Sequence, residues 1–246
     1  MLRFVIFLTF FQNLSFAAGT TSAHWYKITQ NHRLIGISNE VFSKKSGTIH
    51  VQTDFWRRKG DVWVREHVGA MAARNKNLTP RIYQHYLHTE SRYIDAIVRV
   101  SKDWELERSV QKGKAKLPST RIQIPPNTIW STMLPLWIQS HRKELLSGMT
   151  LSFNALVEEL LTTPNPVKKG QVKFISPDTF AQKHGFSKLE IKYNNRTHLW
   201  WIRKDGLIIR AEIPEKRLIM QLISAKSAKA FLDSSNISDT SDAKTP

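Results

Sequence analysis

Residues 188–223 read KLEIKYNNRTHLWWIRKDGLIIRAEIPEKRLIMQLI, and their spacing decides the fold. Leu189, Ile191 and Tyr193 alternate with Lys188, Glu190 and Lys192, the period of a strand with one dry face. Asn194-Asn195 suits a two-residue hairpin turn, and Lys204-Asp205-Gly206 places glycine where a tight turn demands positive φ. The segment therefore predicts four consecutive antiparallel strands: Lys188–Tyr193, Arg196–Arg203, Leu207–Ile213 and Arg217–Ile223. Apolar residues then appear on both faces. Trp200 and Ile202 oppose Leu199 and Trp201, and Leu218, Met220 and Leu222 oppose Ile219 and Ile223. Both faces must be covered, one by a core helix and the other by a second sheet, a partner or a ligand.

Working outward, the same short β-rich runs fill the N-terminal half. They predict strands at Trp25–Ile28, Leu34–Phe42, Thr48–Trp56, Val62–Met71, Arg81–Thr89 and Arg92–Ser101. Trp104–Val110 and Lys116–Ile124 continue the series until Pro125-Pro126 ends it. Asn127 or Thr128 is placed to N-cap a helix, because Ile129, Trp130, Met133, Leu134 and Trp137 recur at steps of three and four. Pro135 within it predicts a kink or two short pieces. Thr150–Glu159 and Gln171–Ser176 are further strands. Pro177 with Asp178 opens a short helix that stops near Gly185, and Ser224 caps a last helix, Ala225–Leu232. The Ser/Asp/Thr/Lys-rich stretch Asp233–Pro246 reads as a disordered tail.

The expected fold is mainly β (α+β). It is a bent antiparallel sheet, a half-barrel meander, wrapping one or two short helices, with a C-terminal helix. One domain spans 24–232: a first meander (24–124), a helical insert (127–146), a second meander (150–223) and the final helix (225–232).

Ahead of it, Met1–Ala17 has the layout of a secretory signal peptide. Arg3 provides the positive n-region, Phe4–Phe11 the apolar core, and Ser15 and Ala17 the small residues of a cleavage site. The expectation is a periplasmic or secreted protein with no transmembrane segment after cleavage. The 246-residue chain has no cysteine, which excludes disulfides, a thiol nucleophile and thiolate metal sites. Its +17 formal charge attracts polyanions such as anionic lipid head groups or acidic polysaccharide. Export makes nucleic acid the least available of these.

The run from His198 to Ile213, a Trp-containing strand, an acidic-Gly turn and a strand ending in Arg-x-Glu, resembles a pattern of bacterial envelope proteins. In that pattern a final strand and an alanine-containing helix follow, here Arg217–Ile223 and Ser224–Ala230. It is similar to the tail of periplasmic curved-sheet domains, including those that precede transglutaminase-like domains. The opening Trp25-Tyr26-Lys27-Ile28 with Leu34-Ile35-Gly36 resembles their first hairpin. The wider architecture is similar to that of lipoprotein-carrier proteins. The resemblance implies a non-catalytic module.

No Gly-x-Ser-x-Gly, phosphate loop or His-Glu-x-x-His occurs, so no catalytic residue, cofactor or metal site is expected. His85 and His88 would point to opposite faces of a strand. Asp103, Glu105 and Glu107 share a face, which is also what a solvated strand looks like. The remaining signal is aromatic. Trp130, Trp137, Trp200 and Trp201 could line an apolar groove, with Arg57, Arg58 and Lys59 at its rim to meet anionic groups. On this reading the protein is non-enzymatic and binds or carries a lipid, a lipoprotein acyl chain or an acidic envelope polymer. A module that docks a protein partner is the alternative, and a hydrolase without a recognisable motif is the third.

Overall fold

The computed structural model describes residues 21–59, 62–89, 92–113, 115–157, 163 and 165–235. The leader residues and the tail beyond 235 lie outside them. The first meander consists of β1 (Thr21–Gln30), β2 (Arg33–Lys45), β3 (Thr48–Lys59), β4 (Val62–Ala73), β5 (Pro80–Thr89), β6 (Arg92–Val100) and β7 (Glu105–Lys112). The expected strand 116–124 is divided into β8 (Ala115–Lys116) and β9 (Thr120–Gln123). Pro118 lies in the break, where a residue without an N–H cannot extend a ladder.

The second half contains β10 (Thr128–Trp130), α1 (Leu134–Ser140), α2 (Arg142–Leu146), β11 (Leu151–Leu156), β12 (Val167–Ile175), α3 (Thr179–His184) and β13 (Ser187–Tyr193). It closes with β14 (Arg196–Ile202), β15 (Ile208–Ile213), β16 (Leu218–Ile223) and α4 (Ala225–Ser234). All sixteen strands form one bent, unclosed sheet. Its order is β10 to β16, then β1 to β8, with β9 pairing β7. The first strand thus pairs with the last, Trp25 opposite Ile223. The sheet is antiparallel except for β10, which runs parallel to β11.

The hairpins follow their turn chemistry. Asn194 and Asn195 both adopt positive φ, as do Asn31 and His32 in the first turn. Asp178 caps α3 by accepting from the Ala181 N–H at 2.9 Å, and Gly185 ends it at φ 67°. Ser224 caps α4 in the same way through the Ser227 N–H.

The helix expected from residue 127 differs. Ile129 and Trp130 form a strand beside Ala155 and Leu156, and a 3₁₀ turn (Ser131–Met133) precedes α1. Pro125-Pro126 stiffens the approach and Asn127 has φ 58°, which breaks any continuous helix entry. Pro135 falls in the first turn of α1, where its missing N–H costs nothing, so the break comes at His141 instead.

The core lies between the concave sheet face and the 131–146 segment. Trp130, Met133, Leu134 and Leu145 meet Val98, Leu106, Leu189 and Ile191, all at most 1% exposed. With no cysteine in the chain, this burial carries the stability, at about 1.5–3 kcal/mol per large apolar side chain. The second apolar face has its own cover. Helix α4 packs Ala228, Phe231 and Leu232 over Trp25, Ile37 and Trp56, and the two indoles stack at 5.6 Å. Asp178, at the head of α3, closes over Trp201. Two short helices thus stand where a second sheet, a partner or a ligand was expected.

Candidate functional site

The four tryptophans do not converge on one groove. Trp130 is wholly buried, its Nε1 donates to the Met71 carbonyl at 3.1 Å, and its ring lies 5.4 Å from Tyr83. Trp200 is in the same core. Trp201 projects from the opposite face of β14, with Lys188 Nζ 4.8 Å and the Arg210 guanidinium 5.4 Å from its ring. Its Nε1 donates to the Asp178 carboxylate at 3.1 Å. The Lys188 bond, assisted by that of Ala181, holds the Asp178 carboxyl down at about 2. Trp137, 7% exposed, stacks on His141 at 4.2 Å and meets Phe153 at 5.7 Å.

Arg57 sits on β3, far across the strand order from β13 and β14, and pairs with Glu66 at 3.1 Å. Glu66 also takes His85 Nε2 at 2.6 Å, which accounts for that histidine. The backbones of Arg58 and Lys59 pair with Trp63 and Val62, and their side chains lie outside the described residues. Glu105 and Glu107 face Arg121 within 4 Å, an exposed ion-pair ladder. No group of three His, Asp or Glu able to hold a metal occurs among the described residues.

The structure forms a site elsewhere. Three contiguous depressions, of about 540, 430 and 570 Å³, meet at Asn154 on β11. The local reason is the shortness of β10. It covers Asn154–Leu156, while Pro125-Pro126 and the positive φ of Asn127 turn the chain away from Leu151–Phe153. The groove therefore runs over an open strand edge. On one side Ser152 and Asn154 face outward beside their register partners Gln171 and Lys169, with Lys192 next to them. On the other side it reaches His141 and the Asn77–Asn127 pair, joined at 2.9 Å.

Two features define its chemistry. Among the described residues no carboxylate lines any of the three depressions, and amide side chains are the commonest polar group. Lys192 shares Glu190 with Lys173, at 3.4 and 3.2 Å, so two cations lie on one carboxylate. Lys169 is exposed and has no acidic partner among the described residues. The floor is held rigidly, because Gly170 lets the Phe153 ring lie directly on the β12 backbone. A lining of amides and ammonium groups can donate many hydrogen bonds to carboxylate, phosphate or sulfate oxygens without like-charge repulsion.

Apart from Trp137, the Asn154 groove escapes a reading of the sequence because its residues come from six separate segments. One local trace exists: residues 160–177 contain Lys168, Lys169 and Lys173 and no Asp or Glu. Compared with family models, with curated proteins and with solved structures, the chain finds no match.

Proposed function

We propose that this chain is an exported, non-enzymatic module of the bacterial envelope that binds an acidic polymer, a polysaccharide carrying carboxylate or phosphate, in the groove at Asn154. The observation that carries this reading is a lining that holds Lys169 and Lys192 and, among the described residues, no carboxylate. Export rests on the Met1–Ala17 pattern, and kinship with periplasmic curved-sheet domains belongs to the same proposal. An acyl chain is a poorer fit, since Trp130, Trp200 and Trp201 are packed into the protein itself and of the four tryptophans Trp137 alone borders the groove. The groove is shallow and of mixed character, with amides and lysines beside the apolar Ile122, Ile124 and Val167, which suits the polar edges and apolar faces of sugar units laid across it.

The test is binding of the purified protein to immobilised alginate, a polyuronate, and to a polyglycerol phosphate, with neutral dextran as the control. Wild type is expected to bind the acidic polymers with a steep salt dependence, and Lys169→Glu/Lys192→Glu to bind at least ten-fold more weakly. Equal binding by wild type and variant, or indifference to every acidic polymer, overturns the reading.

A further inference from the structure

Three of the four large hydrophobic side chains that stand exposed among the described residues lie at one end of the sheet. Leu146, the last residue of α2, is 61% exposed, Met149 on the connection from α2 to β11 is 51%, and Phe180 on α3 is 37%. The topology places these connections together. Leu151 pairs with Val172, so the chain enters β11 near the end from which β12 leaves toward α3 and β13. Arg142 ties the two, donating to Ser187 Oγ at 3.4 Å while its guanidinium lies 5.7 Å from the Phe174 ring.

The exposure is held by a capped turn. Leu145 is 1% exposed and anchors α2 in the core. The Gly148 N–H bonds the Leu145 carbonyl at 3.1 Å and the Met149 N–H the Glu144 carbonyl at 3.3 Å, with Gly148 at φ 85°. Leu146 and Met149 are therefore directed away from the body by ordered backbone.

Charge identifies what they meet. The acidic groups beside these side chains are already neutralised: Glu144 by Lys76 at 2.6 Å, Asp178 by Lys188 at 2.8 Å, and Asp205 of the β14–β15 turn by Arg203. That leaves Lys143, Lys183 and Lys204, all exposed and with no acidic partner among the described residues. Apolar side chains flanked by uncompensated ammonium groups match an interface in which head-group anions lie just above hydrocarbon. We propose that the Leu146–Met149 turn, with Phe180 beside it, is a lip that docks this end of the protein on an anionic lipid surface. The polymer groove, on β11 and β12, is a separate site.

Flotation with phosphatidylcholine vesicles, with or without about one third phosphatidylglycerol, tests this directly. The protein is used with the N terminus the cell leaves on it, identical in every variant. Wild type is expected to float with the anionic vesicles and, at physiological salt, much less with the neutral ones. Leu146→Gln/Met149→Gln, both at exposed positions, should reduce the floated fraction about ten-fold while acidic-polymer binding stays as in wild type. Lys143→Gln/Lys183→Gln should weaken flotation roughly ten-fold and flatten its salt dependence, at about five-fold per lysine before losses. Flotation by Leu146→Gln/Met149→Gln equal to wild type overturns the proposal, as does failure of wild type to float. A concentration-dependent dimer abolished by the same substitutions would assign the turn to a second copy of the chain and likewise overturn it.

Discussion

Gly170 and Phe153 face each other across β12 and β11 with no room for a methyl group between them. A Cβ on Gly170 would lie 2.8 Å from Tyr193 Cβ and closer still to the Phe153 ring. Gly170→Ala is expected to cost about 1–3 kcal/mol through overpacking and to displace the groove floor. Gly69 on β4 is the matched control, since a methyl carbon there would meet nothing within 4 Å and its φ is ordinary. Gly69→Ala should be neutral or stabilising by a few tenths of a kcal/mol. Urea denaturation of the two variants separates them.

Trp130 is the largest fully buried side chain among the described residues and the link between the helical segment and β4. Trp130→Phe leaves the Met71 carbonyl without its indole donor and opens a small void, a loss of about 2 kcal/mol. Trp130→Ala should lose about 3–5 kcal/mol. Equilibrium unfolding followed by far-ultraviolet circular dichroism reads both.

Asp178 does three jobs with one carboxylate: it caps α3, holds Lys188 and accepts from Trp201. Asp178→Ala is expected to cost about 1–2 kcal/mol, and Asp178→Asn less, because an amide oxygen still caps the helix. A red shift of tryptophan emission in the alanine variant would report the uncovering of Trp201. Because the Asp178 carboxyl is held at about 2, its contribution is present above the unfolded value of about 3.8 and is lost only in strong acid.

Two interior groups set opposing pH dependences. Burial lowers the pKa of His198, 8% exposed and stacked on Tyr193, to about 4. Between an unfolded value near 6.5 and about 4 the unfolded chain takes up a proton that the native chain refuses, so stability falls as pH falls. Burial raises the half-buried Glu40 to about 7, so the native chain keeps a proton that the unfolded chain sheds near 4.5. Stability from that group is lost as pH rises from 4.5 through 7. His198→Gln should flatten the acid limb of Tm against pH, by the equivalent of about 2 kcal/mol after allowing for residual solvent. Glu40→Gln should flatten the limb from about pH 5 to 8.

Much of the architecture is legible in the sequence because strand alternation and turn chemistry are local. Asn194-Asn195, Asp178 with Gly185, and Ser224 mark their elements in the sequence as they do in the fold. Trp130 misleads because apolar steps of three and four fit a helix face, and also fit a short buried strand followed by a helix. The outer apolar face of β14 is covered at Trp201 by α3, whereas β16 is covered only in part: Ile223 meets the α4 cluster, Met220 packs on the core, and all six of its residues stay half-buried.

The amino-acid order alone determined a mainly β chain without cysteine, strongly basic, with two meanders around a helical insert. Backbone period and turn preference act over a few residues, so they can be read from a string. Tertiary structure alone decided that β1 closes on β16, that Trp200 and Trp201 serve opposite layers, and that Asn154, Lys169 and His141 border one groove. Those outcomes depend on which surfaces can be buried together, a free energy shared by residues far apart in the chain and carried by no one segment.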